Sequence, residues 1–318
     1  MILAGDIGGT KTNLALFDGD PGRPLVLETY RSADHPGLEE IARVFLRAHP
    51  ADVSAACFGI AGPVRGGQVP AVNLAWAVDA AAVSRALGLE AVALINDLEA
   101  NAFGIAVLGP DDLAVLNPGV PEAVGNRAVI AAGTGLGEAG LYWDGERHRP
   151  FASEGGHADF APRTEVEIGL LRFLQREHAH VSVERVCSGM GLVNAYRYLL
   201  DAREATEPDW YREAGDRPAA IAGAVLEGRD ELAGLAVDLL CSIYGAEAGN
   251  LALKVMATGG VYVGGGIAPK LLPQLRAGGF MEAFVAKGRM SILLEQVPVR
   301  VILNEHAALL GAAARAAT

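Results

Sequence analysis

A glycine pair between two apolar segments near the start of the chain most restricts what this sequence can fold into. Residues 1–7 are mostly apolar, Gly8, Gly9 and Thr10 follow, and residues 14–17 continue as a largely apolar strand pattern. The pattern predicts a strand, a tight turn and a second strand. Because glycine carries no side chain, such a turn leaves backbone N–H groups open to a phosphate. An ordinary hairpin with a Gly-Gly turn is the alternative interpretation.

Asp6 and the net charge of the chain restrict which ligands that turn could bind. Asp6 lies near the end of the first strand, where its carboxylate would point towards a bound phosphate or its magnesium ion. The net charge of −12 argues against a nucleic-acid partner, since that partner needs a basic face. Binding of a polyanion such as ATP would therefore depend on backbone amides, helix N-termini and a metal ion.

The cysteines and the apolar runs indicate a compartment. Cys57, Cys187 and Cys241 are odd in number and far apart, so neither a disulfide framework nor a zinc site is expected. No apolar run is expected to reach the length of a membrane span, and the first residues lack the basic segment of a signal peptide. We expect a cytoplasmic protein.

Strand and helix patterns over the 318 residues favour an α/β fold in two parts. Residues 1–108 show the order βββαβαβα, and residues 109–126, rich in Pro, Gly and Asn, predict a linker. A strand restarts at 127–132, and an Ala-rich helix is predicted at 306–317. The two parts are coarsely alike, because each contains a strand that ends in a glycine-rich turn.

The second glycine-rich turn is Gly133-Thr134-Gly135. Residues 135–140, Gly-Leu-Gly-Glu-Ala-Gly, match the dinucleotide-binding fingerprint letter for letter. That fingerprint requires a helix directly after the glycines, whereas residues 141–145 predict a short strand and a turn. We therefore expect a second phosphate-binding hairpin rather than a dinucleotide site.

A third glycine segment, Gly264-Gly265-Gly266, follows a predicted strand at 261–263. A helix is expected after it, with Pro269 near the first turn. Three glycines allow an adenine or a ribose to approach the backbone closely. A close crossing of helix and strand is the alternative explanation.

Asn96 and Asp97 lie where a predicted strand ends and a helix begins. Ligands of open α/β sheets bind at such carboxyl ends of strands. Asp97 is therefore a candidate general base near a substrate hydroxyl. A simple helix N-cap is the alternative role, since Asp is common there.

A loop at residues 153–160 combines an acid, two glycines and a histidine. Glu154 and His157 together suit a polyol, because they accept and donate hydrogen bonds to adjacent hydroxyls. A metal pair lacks a third ligand at a convincing spacing. The charged pair Glu184-Arg185 between two valines is uninformative when taken alone, because such a pair usually faces solvent.

The order of these segments resembles that of the bacterial ATP-dependent glucokinases of the hexokinase and actin-like superfamily. In chain order they are Asp-Ile-Gly-Gly-Thr, Ile-Asn-Asp, Gly-Thr-Gly-Leu-Gly, Glu-Gly-Gly-His and Gly-Gly-Gly before a late helix. The most specific stretches are residues 154–162 and 181–189. The resemblance runs from residue 2 to about residue 315.

The resemblance implies a two-lobed actin-like ATPase fold, ribonuclease H-like, with a central cleft. It implies a small α/β lobe of residues 1–108 plus 304–318 and a large α/β lobe of residues 109–303, with the last helix packed on the first lobe. Homodimers are usual in the family, so we expect a homodimer.

The resemblance also assigns residues to the two substrates. Sugar would bind through Asn73, Asn96, Asp97, Glu154, His157 and Glu184. Nucleotide would bind through Asp6, Gly8, Gly9, Thr10, Gly133, Thr134, Gly135 and Gly265. Asp97 would take the proton from the sugar 6-hydroxyl as that oxygen attacks the γ-phosphorus of ATP. Mg²⁺ would be carried by ATP, near Asp6, without a site built from protein ligands alone.

The implied enzyme is an ATP:hexose 6-phosphotransferase that makes glucose 6-phosphate for glycolysis. A kinase for another hexose or an N-acetylhexosamine is one alternative. A non-enzymatic sugar sensor is another; a DNA-binding sensor needs a segment ahead of the phosphate loop, and five residues precede Asp6. Lys11-Thr12 resembles the related repressor and kinase group, but that group carries a cysteine cluster after the Gly-His motif. Here no cysteine separates His157 from Cys187.

Overall fold

The computed structural model describes residues 1–71, 74 and 76–318, so the predicted sugar ligand Asn73 lies outside the described residues. The chain divides into two compact units. Unit 1 consists of Met1–Leu113, Pro150–Ala152 and Asn304–Thr318, and unit 2 of Ala114–Arg149 and Ser153–Leu303.

The strands and helices of the described residues follow in chain order. The strands are β1 (Ile2–Ile7), β2 (Lys11–Phe17), β3 (Val26–Arg31), β4 (Ala55–Ile60), β5 (Gln68–Val69), β6 (Val78–Asp79), β7 (Ala93–Asn96), β8 (Leu113–Asn117), β9 (Arg127–Ala132), β10 (Leu136–Trp143), β11 (His148–Ser153), β12 (Gly260–Gly264) and β13 (Val299–Ile302). The helices are α1 (Leu38–Ala48), α2 (Ala80–Leu87), α3 (Asp97–Gly104), α4 (Glu165–Leu174), α5 (Gly189–Ala202), α6 (Asp209–Arg212), α7 (Arg217–Leu226), α8 (Glu231–Val255), α9 (Leu272–Arg276), α10 (Gly279–Val285), α11 (Ser291–Glu295) and α12 (Ala307–Ala316).

The sheet of unit 1 has the order β3-β2-β1-β4-β7. The hairpin strands β1, β2 and β3 are antiparallel, and β1, β4 and β7 are parallel. The inner strands β1 and β4 are apolar and almost wholly buried, as expected of strands covered on both faces. The predicted meander at the start of the chain is confirmed.

The main sheet of unit 2 repeats this strand order. Its order is β11-β10-β9-β12-β13-β8, in which the first five strands correspond in order to those of unit 1. The predicted likeness of the two halves is thus confirmed, down to the glycine turn after the first strand of each. The predicted linker at 109–126 is wrong in part, because β8 lies within it and adds an edge strand to this sheet.

Strand register places the carboxyl ends of β1, β4 and β7 at one edge of the sheet in unit 1. Ile7 pairs with Ile60, and Ile60 pairs with Asn96. Adjacent strands are about 4.8 Å apart, so the ends of β1 and β7 are separated by roughly 10 Å. Asp6 and Asn96 therefore lie at the same edge.

The last helix packs against α3 within unit 1 through two glycines. A Cβ on Gly104 would stand 2.2 Å from the carbonyl oxygen of Ala307, and a Cβ on Gly311 would stand 1.8 Å from that of Ala100. The backbones of α3 and α12 approach this closely because both contact positions lack a side chain. The end of the chain is thereby fixed on the helix that begins at Asp97.

Helix α8 is the long core helix of unit 2. Among the described residues it alone is long and apolar enough to cross a bilayer, so the prediction that no apolar run reaches that length is wrong. Of its most apolar window, 67% is buried in the protein, as in the core helix of a globular domain. The helix is therefore only weak evidence for a membrane span.

Candidate active site

The first glycine turn joins β1 to β2 and leaves its backbone open. The Gly8 N–H donates to the Lys11 carbonyl (2.8 Å) and closes the turn. Gly9 and Thr10 are exposed at its tip. The turn therefore has the accessible backbone that phosphate binding requires.

Ser32, fully buried at the end of β3, holds this turn from the protein interior. Its hydroxyl donates to the Gly8 carbonyl (2.7 Å) and lies 3.0 Å from the Thr12 hydroxyl. Its N–H donates to the Thr10 carbonyl (3.1 Å), and its carbonyl accepts from the Trp76 indole (3.2 Å). The sequence analysis missed Ser32 because these partners come together only when β3 pairs with β2.

Asp6 lies near the carboxyl end of β1. The Asn13 amide, opposite it on β2, lies 3.5 Å from Oδ2 of Asp6, and Asn13 itself accepts from the Thr29 hydroxyl (2.8 Å). Burial raises the pKa of the Asp6 carboxyl, while Asn13 and the charge of His306 partly lower it. A single carboxylate beside an open glycine turn suits a cation that keeps most of its other ligands from water and phosphate.

Asn96 and Asp97 lie at the junction of β7 and α3. The Asn96 Oδ1 accepts from the N–H groups of Leu98 (2.9 Å) and Glu99 (3.4 Å), and its amide donates to the Gly62 carbonyl (3.2 Å). The helix cap is therefore Asn96, and the alternative interpretation of Asp97 as the cap is wrong. Asp97 is the first residue of the helix, with Oδ1 3.0 Å from the Leu98 nitrogen.

The second glycine turn joins β9 to β10. The Gly133 N–H donates to the Gly135 carbonyl (2.8 Å), Thr134 is exposed at the tip, and a Cβ on Gly133 would meet nothing within 4 Å. A strand, β10, follows the glycines in place of the helix that a dinucleotide-binding fingerprint requires. The predicted hairpin is confirmed.

The third glycine segment packs against the start of this second turn. Gly265 has a φ of +77°, and a Cβ there would stand 2.2 Å from the Ala132 carbonyl oxygen. The same carbonyl accepts from the Ile267 N–H (3.2 Å). That contact holds the segment in turns, so the helix predicted from Pro269 begins only at Leu272.

Glu184 reaches the second turn from a short 3-10 helix. Its Oε2 accepts from the Leu136 N–H (3.0 Å), next to Gly135. A charged pair between valines usually faces solvent, but here Val183 and Val186 are buried in the core of unit 2. Burial of these two valines turns the intervening carboxylate towards the glycine turn.

His157 lies between two carboxylates. Its Nε2 is 3.9 Å from Oε2 of Glu154, and its Nδ1 is 4.0 Å from Oε1 of Glu184. The side chains of Glu154 and His157 are mostly exposed, at 68% and 63%, whereas that of Glu184 is 22% exposed. The cluster offers donors and acceptors to neighbouring hydroxyls of a polyol.

The glycines of the Glu-Gly-Gly-His loop let it lie directly on β10. A Cβ on Gly156 would stand 2.0 Å from the Leu136 carbonyl oxygen, and one on Gly155 would stand 1.8 Å from Oε2 of Glu138. A larger residue at Gly156 would have to move the loop that carries Glu154 and His157, and one at Gly155 would have to displace the buried Glu138 carboxylate.

Glu138, under this loop, is a buried acid that the sequence analysis did not single out. It is 1% exposed, and its Oε1 has no hydrogen-bond partner among the described residues. Burial raises the pKa of Glu138 to about 7; nearby Glu247 contributes to the rise and Lys254 opposes it. The proton on this carboxyl is therefore sensitive to pH near neutrality.

Helix α5 begins beside the second turn. Ser188, its buried N-cap, accepts from the Gly191 N–H (3.0 Å) and donates to the Glu184 carbonyl (2.7 Å). The Gly189 N–H donates to the Gly133 carbonyl (2.8 Å). The positive end of the helix dipole thus lies at the turn and favours an anion there. The sequence can indicate Ser188 as a helix cap, because serine is common at that position. Nothing in the sequence indicates its hydrogen bond to the Glu184 carbonyl.

A cavity of about 390 Å³ opens beside Glu184 in unit 2. Its lining is mainly polar and comprises His157, Glu177, His178, Ala179, His180, Ser182, Glu184, Arg185 and Met190. Two of the predicted sugar ligands therefore face a space large enough for a small polar molecule.

Comparison with known proteins gives the same assignment along the whole chain. The family model described as Glucokinase matches residues 3–318. A glucokinase of Nostoc punctiforme is 45% identical over 337 aligned positions, which cover 100% of this chain and 99% of that protein. The crystal structure of a glucokinase from an Antarctic psychrotroph superposes with a TM-score of 0.87 at 33% identity, covering 99% of this chain and 98% of that one.

A more distant structure shares the fold. A ROK family glucokinase from Streptomyces griseus, solved with glucose and AMPPNP, superposes with a TM-score of 0.67 at 22% identity, covering 99% of this chain and 98% of that one. The repeated strand order and these likenesses define the class: the two-lobed actin-like ATPase fold, as predicted. The chain belongs to the glucokinase family. The predicted enzyme class, a glucokinase, is confirmed.

Proposed function

We propose that this chain transfers the γ-phosphoryl group of ATP to the 6-hydroxyl of glucose, giving glucose 6-phosphate and ADP for glycolysis. The observation that carries the proposal is the contact between Glu184 and the Gly133–Gly135 turn, with His157 beside it. Within one unit, groups suited to sugar hydroxyls adjoin a turn suited to phosphate.

Sugar binding is assigned to Glu154, His157 and Glu184 of unit 2 and to Asn96 and Asp97 of unit 1. Asp97 acts as the general base, accepting the proton of the 6-hydroxyl as its oxygen bonds to phosphorus and the bond to ADP breaks. Asn96 fixes the start of α3 and with it the position of Asp97. Asn73 stays a prediction for the sugar site.

Nucleotide binding is assigned to the three glycine segments. The turn Gly8–Thr10 in unit 1 and the turn Gly133–Gly135 in unit 2 present the backbone N–H groups of their tips to phosphate oxygens, while the N–H groups of Gly8 and Gly133 close the turns. The N-terminus of α5 adds its dipole. Gly265 leaves room for the adenosine. The Streptomyces griseus structure, which holds glucose and AMPPNP, supports this pairing of substrates.

The donor set fits magnesium held by the nucleotide. No group of three or more ligating side chains occurs among the described residues, whereas Asp6 offers one carboxylate beside the first turn. One carboxylate with phosphate and water is a usual magnesium environment. Asp6 would hold the ion on the side of the first turn, and the ion would supply neutralisation of the phosphate charge.

The first test is ADP release with ATP and magnesium against glucose, mannose, fructose, N-acetylglucosamine and N-acetylmannosamine. We expect turnover with glucose, because Glu184 beside the sugar leaves little room for a 2-acetamido group. Preference for another sugar would replace the substrate but keep the role of Asp97. Absence of turnover with every sugar would overturn the proposal.

Three further assignments rest on the same family. Units 1 and 2 are proposed to act as the small and large lobes, and the enzyme is proposed to be a homodimer, which sedimentation velocity at micromolar concentration tests. The three cysteines are buried free thiols, which supports a reducing, cytoplasmic location.

A further inference from the structure

Tyr244, in the middle of α8, places its hydroxyl among three backbone groups of the neighbouring sheet. The side chain is buried, at 1% exposure for the residue. The hydroxyl accepts from the Ala132 N–H (3.1 Å) and lies 3.1 Å from the Ile130 carbonyl oxygen and 3.0 Å from that of Gly264. One hydroxyl therefore contacts both β9 and β12.

The hydroxyl lies where these two strands separate. Ala131 and Gly264 are the last residue pair of the parallel ladder between β9 and β12. Beyond that pair β9 enters the turn at Gly133 and β12 enters the turn at Gly265. Backbone groups at such a fork lose their ladder partners, and leaving them unpaired in the interior is unfavourable.

A hydroxyl is suited to this fork because it accepts from an N–H and donates to a carbonyl at the same time. Burial raises the pKa of Tyr244 well above its usual range, so the donor proton stays in place. The ring packs edge-on against Phe280, with centroids 5.6 Å apart. A phenylalanine at this position would keep that packing and lose only the hydroxyl.

We propose that Tyr244 is a positioning residue of the nucleotide site, whose hydroxyl fixes the Gly133–Gly135 turn relative to the Gly264–Gly266 turn. The inference rests on the proposed function, in which the first turn binds phosphate and the second lies near adenosine. Loss of the hydroxyl should loosen both turns together and weaken ATP binding. The sugar cluster should be affected less. Glu184 accepts from the Leu136 N–H beside the turn, but its own backbone is held by Ser188, and Tyr244 makes no hydrogen bond to Glu154, His157 or Glu184.

The test is Tyr244→Phe, with steady-state kinetics measured once with ATP varied and once with glucose varied. We expect KM for ATP to rise about fivefold to tenfold, as for the loss of one buried hydrogen bond, and KM for glucose to rise by a smaller factor, about twofold to threefold. Tyr196→Phe is the matched control, because it removes a buried hydroxyl that donates to Asp230 (2.8 Å). Tyr211→Phe is a second control, since the buried Tyr211 hydroxyl has Arg217 as its electrostatic partner and, among the described residues, no hydrogen bond to either glycine turn. Both controls should keep KM for ATP within about twofold of the unaltered enzyme.

An unchanged KM for ATP in Tyr244→Phe overturns the inference, and so does an equal rise of both KM values. If the unaltered protein phosphorylates no sugar, the proposed function fails separately, and calorimetric titration with AMPPNP then decides about Tyr244. Tighter binding by the unaltered protein than by Tyr244→Phe supports the positioning role; equal binding, or none by either, overturns it.

A measurement on the unaltered protein avoids any effect of the substitution on folding. Addition of AMPPNP should slow amide exchange in residues 130–136 and 262–268 together. Protection of one segment without the other would also contradict a shared hydroxyl anchor.

Discussion

Gly135 and Glu184 are packed so closely that a Cβ on Gly135 would stand 2.3 Å from Oε2 of Glu184. The same oxygen accepts from the N–H of Leu136 at 3.0 Å. A glycine of the proposed phosphate turn thus sets the position of a proposed sugar ligand. The two substrate sites of unit 2 are joined at this contact.

Gly135→Ala should therefore impair sugar binding without any change in a sugar ligand. The added methyl displaces the Glu184 carboxylate, so we expect KM for glucose to rise about tenfold or more, in line with the loss of a charge-assisted hydrogen bond. Gly223→Ala in α7 is the control, because a Cβ there meets nothing within 4 Å. A Gly135→Ala enzyme with an unaltered KM for glucose would show that Glu184 does not bind the sugar.

Asp97→Asn should abolish most turnover and leave sugar binding in place. The amide keeps the shape of the side chain but accepts no proton, so kcat should fall by about 10²–10⁴. The glucose affinity, measured by calorimetry, should change little. Asn96→Ala provides the comparison: loss of the helix cap should lower stability by about 1 kcal/mol. Near-normal kcat in Asp97→Asn would mean that another group accepts the proton.

Ser32→Ala should weaken the first glycine turn. The hydroxyl that donates to the Gly8 carbonyl is lost, which should cost about 1–3 kcal/mol in the free energy of unfolding and raise KM for ATP. Ser84→Ala is matched to it, because the Ser84 hydroxyl donates to the Leu89 carbonyl (2.6 Å) in the same unit. Urea unfolding should show a lower free energy of unfolding in both variants. Steady-state kinetics should show a higher KM for ATP in Ser32→Ala and an unchanged one in Ser84→Ala. Equal KM values in the two variants would contradict a role for Ser32 in the turn.

Glu138 should make stability depend on pH near neutrality. Its pKa is raised from 4.5 to about 7, so the folded protein binds the proton more tightly than the unfolded chain does. The stabilisation that protonated Glu138 contributes to the folded protein is then fully present below pH 4.5 and is lost as the pH rises through about 7. The difference in pKa corresponds to at most roughly 3 kcal/mol.

Urea unfolding of the unaltered protein and of Glu138→Gln at a series of pH values tests this. Between pH 5 and pH 8 the free energy of unfolding of the unaltered protein should fall relative to that of Glu138→Gln. This relative change is expected whatever the difference in stability between the two proteins at pH 5. Glu167→Gln is the contrasting variant. Glu167 is buried but paired with Arg163 (2.9 Å), so this variant should be less stable than the unaltered protein at pH 8. A difference between Glu138→Gln and the unaltered protein that is independent of pH would show that Glu138 is not the titrating group.

Much of the fold could be predicted because its signals are local. The apolar run before Gly8 and the alternation after it define a hairpin. Asp79 and Gly88, residue types typical of helix caps, lie at the two ends of α2. The edge strand β8 was missed although residues 113–116 are apolar, because the Pro- and Gly-rich residues on both sides of it are typical of a loop. The turns after Gly265 were missed because the Ala132 carbonyl that holds them is distant in the sequence.

The residues of the candidate site also fall into those that the local sequence indicates and those that it does not. Glu154 and His157 are close in the chain, so their pairing follows from spacing and from the bend between them. The residues around Glu184 were uninformative taken alone, and its function was implied only by resemblance. Ser32 and Tyr244 had no sequence signal for their contacts with the glycine turns, and Ser188 had none for its contact with the Glu184 carbonyl.

The sequence by itself determined the glycine turns, the strands that flank them and the acids placed at strand ends, because these depend on neighbouring residues and on backbone freedom. Tertiary structure decided which side chains support those turns. Sheet pairing and helix packing bring Ser32 to Gly8, Glu184 to Gly135 and the Tyr244 hydroxyl to the fork between β9 and β12. These contacts are selected by the burial of polar groups that must find partners, and that requirement arises only once the core has formed.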